Sequence, residues 1–518
     1  MTNPIFKTGG LTRPLVAAVF FALPAPAFAD LTSQELWSQW QEYMQSFGYD
    51  VAAQATPADG GLTVTGLSMS LPMNSPEGSL GTMKMTFGEV RLTDQADGTV
   101  LVTVPESTPL TVDVDPVDED PVKIVMNHVS PDFRAVASGT ATDTHYDYSA
   151  SIVSLVLQSV MSEGKTVEPG TVRINLNGLA GTSDMNIGDA FVVQQDLTAA
   201  SLDYAVDITN PDPNGTGTFK MNGEVRDLAS SGGGTIPKGA DMTRMGDAMR
   251  AGYAVHAAVT YAAGMMQLAF EEGAENFAYA SSSEGGRFDV SLAPEGLKYD
   301  VSSRTVKMHV EGSEIPFPAD FTAEEIGLGI NLPVMASDDQ QDFGAVLTLA
   351  GVTLPDPVWG MADPGGALSH DPLTVRLDLA GKGRLMVDLL DEEQMTQLGA
   401  SGGMPGMVES LTLNQLQLKA AGAEVSATAD LTVDNQAMSP MGPFPNVFGT
   451  ADIRMTNVLA LARTLSQMGL IPQGQAMMIA GMLQQLGEPV SGPDDLKALV
   501  ELSQQGALTV NGNPIPLQ

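Results

Sequence analysis

From Val51 onward the chain alternates apolar and polar residues with a period of two, and it does so for most of its length. "GLTVTGLSMSL" (61–71), "VRINLNG" (172–178), "RFDVSLA" (287–293), "LTVRLDLAG" (373–381) and "EVSATADLTVD" (424–434) all keep this rhythm. Side chains that switch faces at every residue belong to extended strands, and apolar residues at every second position give each strand one face to bury. The pattern therefore predicts a mainly β fold: long curved antiparallel sheets built from hairpin meanders. Asn177 with Gly178, Asn222 with Gly223, and "AGKGR" (380–384) read as the hairpin turns. Prolines gather at 105–121, 211–213, 315–318 and 440–445, where connections lose little by lacking an amide hydrogen.

Helical patterning stands at the two ends of this β region. "LTSQELWSQWQEYMQSFGYD" (31–50) has Thr32 and Glu35 at capping-box spacing, a stripe of Leu36, Trp40, Tyr43 and Phe47, and Gly48 as a stop. It predicts an amphipathic helix that plugs an open sheet end. Near the C-terminus, 457–469, 473–487 and 493–506 each read as a short helix, followed by a closing strand in "ALTVNGNPIPL". The resulting division is a leader (1–29), an N-terminal helix (30–50), a β-rich region with internal repeats (51–336), a second β-rich region (337–455) and a helical cap with a final strand (456–518). The repeats are "GTMKMTFGEVRL" (81–92), "GTFKMNGEVRDL" (217–228) and the shorter "RTVKMHVEG" (304–312), which point to duplicated sheet modules with unequal insertions.

The first 29 residues have Lys7 and Arg13, an apolar run over 15–23 broken by Pro24 and Pro26, and small residues at Ala27 and Ala29. This is the layout of a secretory signal peptide with cleavage after Ala29. The apolar run is too short for a membrane anchor, which needs roughly 20 residues. The expected location is the periplasm, or beyond it. Losing the two cations takes the formal charge from −38 to −40. Such a field repels nucleic acid and anionic lipid headgroups and keeps an exported chain in solution. With no cysteine the chain has no disulfides, so its stability rests on sorting its 43 % apolar residues onto one side of the sheet.

No residue pattern announces a reaction. "GASGG" (399–403) matches the nucleophile-elbow spacing around Ser401, but a helix-like segment precedes it where a strand is required. Ser162 and Lys165 have Ser-x-x-Lys spacing with Gly164 between them, which favours a turn. The five histidines, at 128, 145, 256, 309 and 370, stand singly without zinc-ligand spacing. Asn210, Asp212, Asn214 and Gly215 occupy the first, third, fifth and sixth places of a calcium loop, whereas Met221 stands at the twelfth, where a glutamate is needed. Tight turns select the same residues, so both readings stay open. No catalytic residue and no cofactor is expected.

Residues 351–383 hold Pro355, Asp356, Pro357, Val358 and Trp359, then Asp363 with Pro364, then His370, Asp371 and Pro372 leading into "VRLDLAGKG". The prolines predict a non-helical crossing with Trp359 anchored in the core, followed by two strands around a turn at 380–382. This run, with "LTVNGNPIPL", resembles an exported bacterial family known as domain of unknown function 2125, and the resemblance runs along most of the chain after the leader. Its structural positions here are Trp359, Asp363, Pro364, Asp371 and Pro372. More distantly the chain is similar to AsmA-type envelope proteins, whose long curved sheets are implicated in lipid movement or envelope integrity.

The expected role is a soluble periplasmic scaffold or binding protein for envelope maintenance, holding a lipid or another apolar ligand on the sheet's apolar face. The alternatives are an envelope assembly factor with protein partners and, third, a secreted hydrolase. From sequence, that face reads equally as a closed core or as a groove.

Overall fold

The alternation beginning at Val51 is realised as antiparallel strands joined into one ladder. A computed structural model describes residues 31–75, 78–117, 120–162, 164–167, 170–210, 216–242, 244–439, 442 and 444–515. Helix α1 (Ser33–Ser46) starts at Thr32, whose hydroxyl accepts from the Glu35 amide while Glu35 reaches back to the Thr32 amide, closing the expected capping box. Three strands follow: β1 (Asp50–Ala58), β2 (Gly61–Ser75) and β3 (Gly78–Asp94). Shorter β4 (Val100–Thr103), β5 (Ser107–Pro116), β6 (Val122–Val129) and β7 (Arg134–Thr140) lead to β8 (Asp143–Ser162) and its stub β9 (Lys165–Val167). Long strands β10 (Thr171–Ile187), β11 (Ala190–Thr209) and β12 (Thr218–Pro237) come next.

After a short helix α2 (Met245–Arg250), the chain again makes four shorter strands and a long one. These are β13 (Ala254–Tyr261), β14 (Ala263–Glu272), β15 (Glu275–Ser283), β16 (Gly286–Ala293) and β17 (Gly296–Gly312). A meander completes the sheet: β18 (Ala319–Leu332), β19 (Gln341–Val352), helix α3 (Asp356–Ala362), β20 (Leu373–Leu385), helix α4 (Glu392–Ser401), β21 (Gly406–Ala420), β22 (Ala423–Met438) and β23 (Pro445–Thr456). Helices α5 (Val458–Gln467) and α6 (Gln473–Leu486) precede β24 (Glu488–Gly492), β25 (Asp495–Leu502), β26 (Leu508–Val510) and β27 (Asn513–Ile515).

The repeat at 81–92 and 217–228 marks a duplicated topology. β3 pairs with β5 along one half and with β4 at its end; β6 and β7 then pair with the two halves of β8. β12 pairs with β14 and β13 in the same way, and β15 and β16 pair with the two halves of β17. The two longer copies of the repeat thus lie on equivalent strands, β3 and β12. The third copy lies on β17, the equivalent of β8, and is not part of the duplication.

In several long strands the alternation slips by one residue at a kink. On β12 the apolar positions are odd at Phe219, Met221 and Val225 and even from Leu228, with Arg226 and Asp227 both exposed and Asp227 at φ 52°. On β17 they are odd at Leu297, Tyr299 and Val301 and even from Val306, with Thr305 at φ 50°. Neighbouring strands slip together, so pairing continues on both sides. Leu67 and Phe87, on one side of the kink, pack against the same cluster as Val64 and Val90 on the other, so the apolar face does not change sides.

The sheet curls around α1. Ser33 bonds Asp94 at the end of β3 (2.6 Å), Gln39 donates to Thr144 Oγ1 on β8 (2.8 Å), Tyr43 lies edge-on to Phe191 on β11, and Glu42 pairs with Lys238 just past β12 (2.8 Å). β3 and β12 are six strand steps apart, about 29 Å in a flat sheet, whereas a helix is about 10 Å across. One helix can touch both only if the sheet wraps it. The buried cluster, including Leu36, Trp37, Leu92, Val100, Phe191 and Met249, fills this end. Elsewhere the sheet is a single layer. The chain exposes 30196 Å², against about 18,000 Å² for a compact protein of this mass, and the residues outside the description add at most ~8,000 Å² even if extended.

Several expectations are corrected. Asn222 with Gly223, and the 380–382 segment, lie inside β12 and β20 and are not turns. Their glycines make room for rings, since a Cβ on Gly223 would sit 2.4 Å from the Tyr204 hydroxyl and one on Gly381 2.3 Å from Phe343. Asn177 and Gly178 lie at a kink within β10. Pro109 and Pro116 belong to β5, not to a connection. Residues 493–506 are not a helix but hold β25 at their centre, because Leu496, Ala498, Val500 and Leu502 follow the period of two and pair with β23. The closing strand is a hairpin, β26 and β27, turning at Asn511 and Gly512. Residues 351–372 are not wholly non-helical: Pro355 caps α3 and Pro357 sits in its first turn, where a missing amide is tolerated.

Closed and open parts of the apolar surface should respond differently to truncation. Leu36→Ala, at a fully buried site, should cost about 2–5 kcal/mol in denaturant unfolding. Leu328→Ala, at 40 % exposure on β18, should cost under ~1 kcal/mol. Equal costs would mean the sheet's apolar face is sealed.

Candidate functional site

Register places one residue of each strand in a row across the sheet. From β2 the row passes through Leu62, Leu92, Val102, Ala135 and Tyr148. It crosses β10 to β13 at Gly181, Leu197, Ser230 and Val259. It then runs Phe288, Val301, Leu328, Leu347, Leu377 and Leu416, and ends at Ala427, Ile453 and Ala498 on β25. The row two residues away is equally apolar over Ile326, Leu349, Val375, Leu418, Val425 and Met455. Paired residues share a face, so this is one apolar band along the sheet. Most of its residues from β17 to β23 are half-exposed, and Leu328 and Leu418 are exposed. A closed core would leave them below a tenth.

The opposite face is polar. One position over, Thr348, Arg376, Gln417, Ser426, Arg454 and Lys497 face each other in register. Grooves of about 670 and 590 Å³ run over this polar side and meet at Ala258; they are lined by small and charged residues such as Arg134, Asp147, Asp289 and Lys298. Some of their charged groups are held in surface ion pairs, for example Arg287 with Asp289 and Asp300.

The 351–383 segment builds a clasp at the strand ends. Trp359, buried on α3, stacks on His370 with ring centres 4.3 Å apart. Asp363, also buried, accepts from the amides of Leu368 (2.7 Å) and Ala367 (2.9 Å), and these bonds, with His370 3.7 Å away, hold its carboxyl below the usual range. Pro364 follows in the turn, and the Asp371 carboxylate, next to Pro372, accepts from the Ser369 hydroxyl. Here Asp363 fixes the loop that leads to His370.

The remaining candidates do not converge. Ser401 ends α4, and its hydroxyl donates to the Leu398 carbonyl (2.9 Å), so there is no strand-to-helix elbow. Ser162 faces Lys165 across the β8–β9 hairpin. Asn210 follows β11, whereas Asp212, Asn214 and Gly215 lie outside the described residues, as does Ala29; Met221 pairs with Val206 and Leu268 in the sheet. His128 is pressed edge-on against Phe87, and burial lowers its pKa. His256 sits on the polar face in β13. His145 bonds Asp184 (2.6 Å) with Asp147 at 3.5 Å, and His309 bonds Asp320 (2.8 Å); in both, the carboxylate bond raises the imidazole pKa.

A raised histidine pKa stabilises the fold at pH below the unfolded value of about 6.5 and ceases to do so as pH rises through the folded value. His145 should therefore titrate above 6.5 by NMR, and Asp184→Asn should return it toward that value. An unchanged titration in the variant would show that Asp184 is not the cause.

The apolar band was not singled out residue by residue from sequence, because register between distant strands decides which leucines share a row. The only local signal is that every strand presents an apolar face. No curated protein matches the chain, and no solved structure does. Residues 240–517 match the family described as "Uncharacterized protein conserved in bacteria (DUF2125)", a span that starts just before α2 and holds the Trp359 clasp and the closing hairpin. The match covers more than half of the sequence, and the chain belongs to that family.

Proposed function

We propose that the protein is an exported β-rich binding protein that holds a lipid or another apolar ligand along its sheet and serves envelope maintenance in the periplasm. The observation that carries this reading is the apolar band, in register from β2 to β25 and half-exposed from β17 to β23. A soluble chain gains from covering such a surface, and an elongated apolar ligand would cover it at about 25 cal/mol per Å² buried. The acidic charge disfavours nucleic acid and anionic headgroups as partners along the polar side. Export rests on the leader ending at Ala29.

The test is mass spectrometry of an organic extract from protein purified from its native source without detergent. A stoichiometric lipid is expected, and Leu347→Glu or Leu377→Glu should lower its amount about tenfold or more by placing a carboxylate on the band. An empty extract from a folded sample overturns the reading and turns attention to protein partners.

A further inference from the structure

Beneath α1 the apolar face deepens into a cavity of about 530 Å³, a size typical of ligand sites. Its walls include Trp40, Tyr43, Phe133, Tyr146, Tyr148 and Met185. The chain has only 29 aromatic residues, so five here is a marked concentration. None of the lining side chains is charged. The α1 stripe is not a plain plug, since Leu36 is fully buried but Trp40 and Tyr43 remain half-exposed around this space.

Four polar side chains of the wall, Trp40, Tyr146, Tyr148 and Gln195, are hydrogen-bonded to one another or to groups behind them. Trp40 Nε1 donates to Tyr146 Oη (3.0 Å), Tyr146 donates to Gln39 Oε1 (2.9 Å), and Gln39 Nε2 donates to Thr144 Oγ1 (2.8 Å). Gln195 Nε2 donates to Tyr148 Oη (2.8 Å). Burial pushes the Tyr146 hydroxyl up to about 12, consistent with a dry wall. The hydroxyls of Tyr43 and Ser183 are the polar groups left to an occupant, so most of the wall favours an apolar one. In register, Tyr148 of the wall stands in the same row as Gly181 and Leu197 of the band.

From this geometry we infer that the cavity under α1 is the anchoring site for the end of a long acyl chain. The inference rests on the reading of the apolar band as a ligand site and names where the ligand is gripped. Its test is fluorescence titration of a Trp359→Phe protein, in which only Trp37 and Trp40 report, with dibromostearate and with stearate as the unquenching control. Saturable quenching by the brominated chain is expected. Ser183→Phe, which fills the cavity, and Met44→Glu, which charges its rim, should each weaken binding about tenfold or more, while Ser183→Ala and Met44→Leu stay within about twofold. Circular dichroism checks that each variant is folded, and Met44→Glu, on the half-exposed helix side, keeps the test open if Ser183→Phe does not fold.

Absence of quenching, or quenching indifferent to both Ser183→Phe and Met44→Glu, overturns the site. If those two variants still co-purify the wild-type lipid, the cavity assignment fails while the band remains a ligand surface. If wild-type protein neither carries lipid nor binds stearate, both fail.

Discussion

The structure depends on one constraint: the antiparallel ladder must keep every strand's apolar side on the same face. A slip of one residue in any strand would turn its whole apolar set outward. The long strands do slip, at Asp227, at Thr305 and at Gly178, yet each slip is matched by the neighbouring strand, so pairs such as Met221 with Leu268 and Leu328 with Leu347 still face the same side. The kink lets a long strand bend without losing either its hydrogen bonds or its sidedness. The duplicated halves, β3–β8 and β12–β17, repeat this solution, which is how a chain without disulfides can keep one face apolar over so many strands.

A single-layer sheet needs something to set its curvature, and α1 does so. Trp40, Tyr146 and Gln39 form a chain of hydrogen bonds between the helix and β8, while Tyr43 and Glu42 reach β11 and the end of β12. Each of these polar tips is satisfied only when the sheet has curled far enough to meet the helix. Burial and hydrogen bonding therefore act together at this end, and the cavity is the space left where a straight helix meets a curved surface.

Much of this was legible in the residues and some was not. The strands of the β region, the capping box at Thr32 and the helices near 457 and 473 follow from local periodicity and caps. The glycines at 223 and 381 misled because a glycine read as a turn is also what an aromatic neighbour across the ladder requires, and Tyr204 and Phe343 supply those rings. Residues 493–506 carry helix-favouring ends around a strand centre, and pairing with β23 decided between them. The cavity was out of reach of local reading, since Trp40 and Tyr146 are 106 residues apart and meet only through the curl.

The two ends of the apolar band differ in a way that bears on direction. At the α1 end it sinks into an uncharged, aromatic-walled pocket beside the buried cluster. At the β25 end Leu496 and Ala498 are buried, and Leu496 packs near Gly487, where α6 ends. That helix carries no charge from Gln473 to Leu486 and exposes Met477, Met478 and Met482. Between these ends, Leu328 and Leu418 lie open. A chain-like ligand lying on the band would thus have its most desolvated contact under α1 and its least under the middle strands. Since burial per unit area sets its hold, it would seat at α1 and peel away from the middle of the sheet.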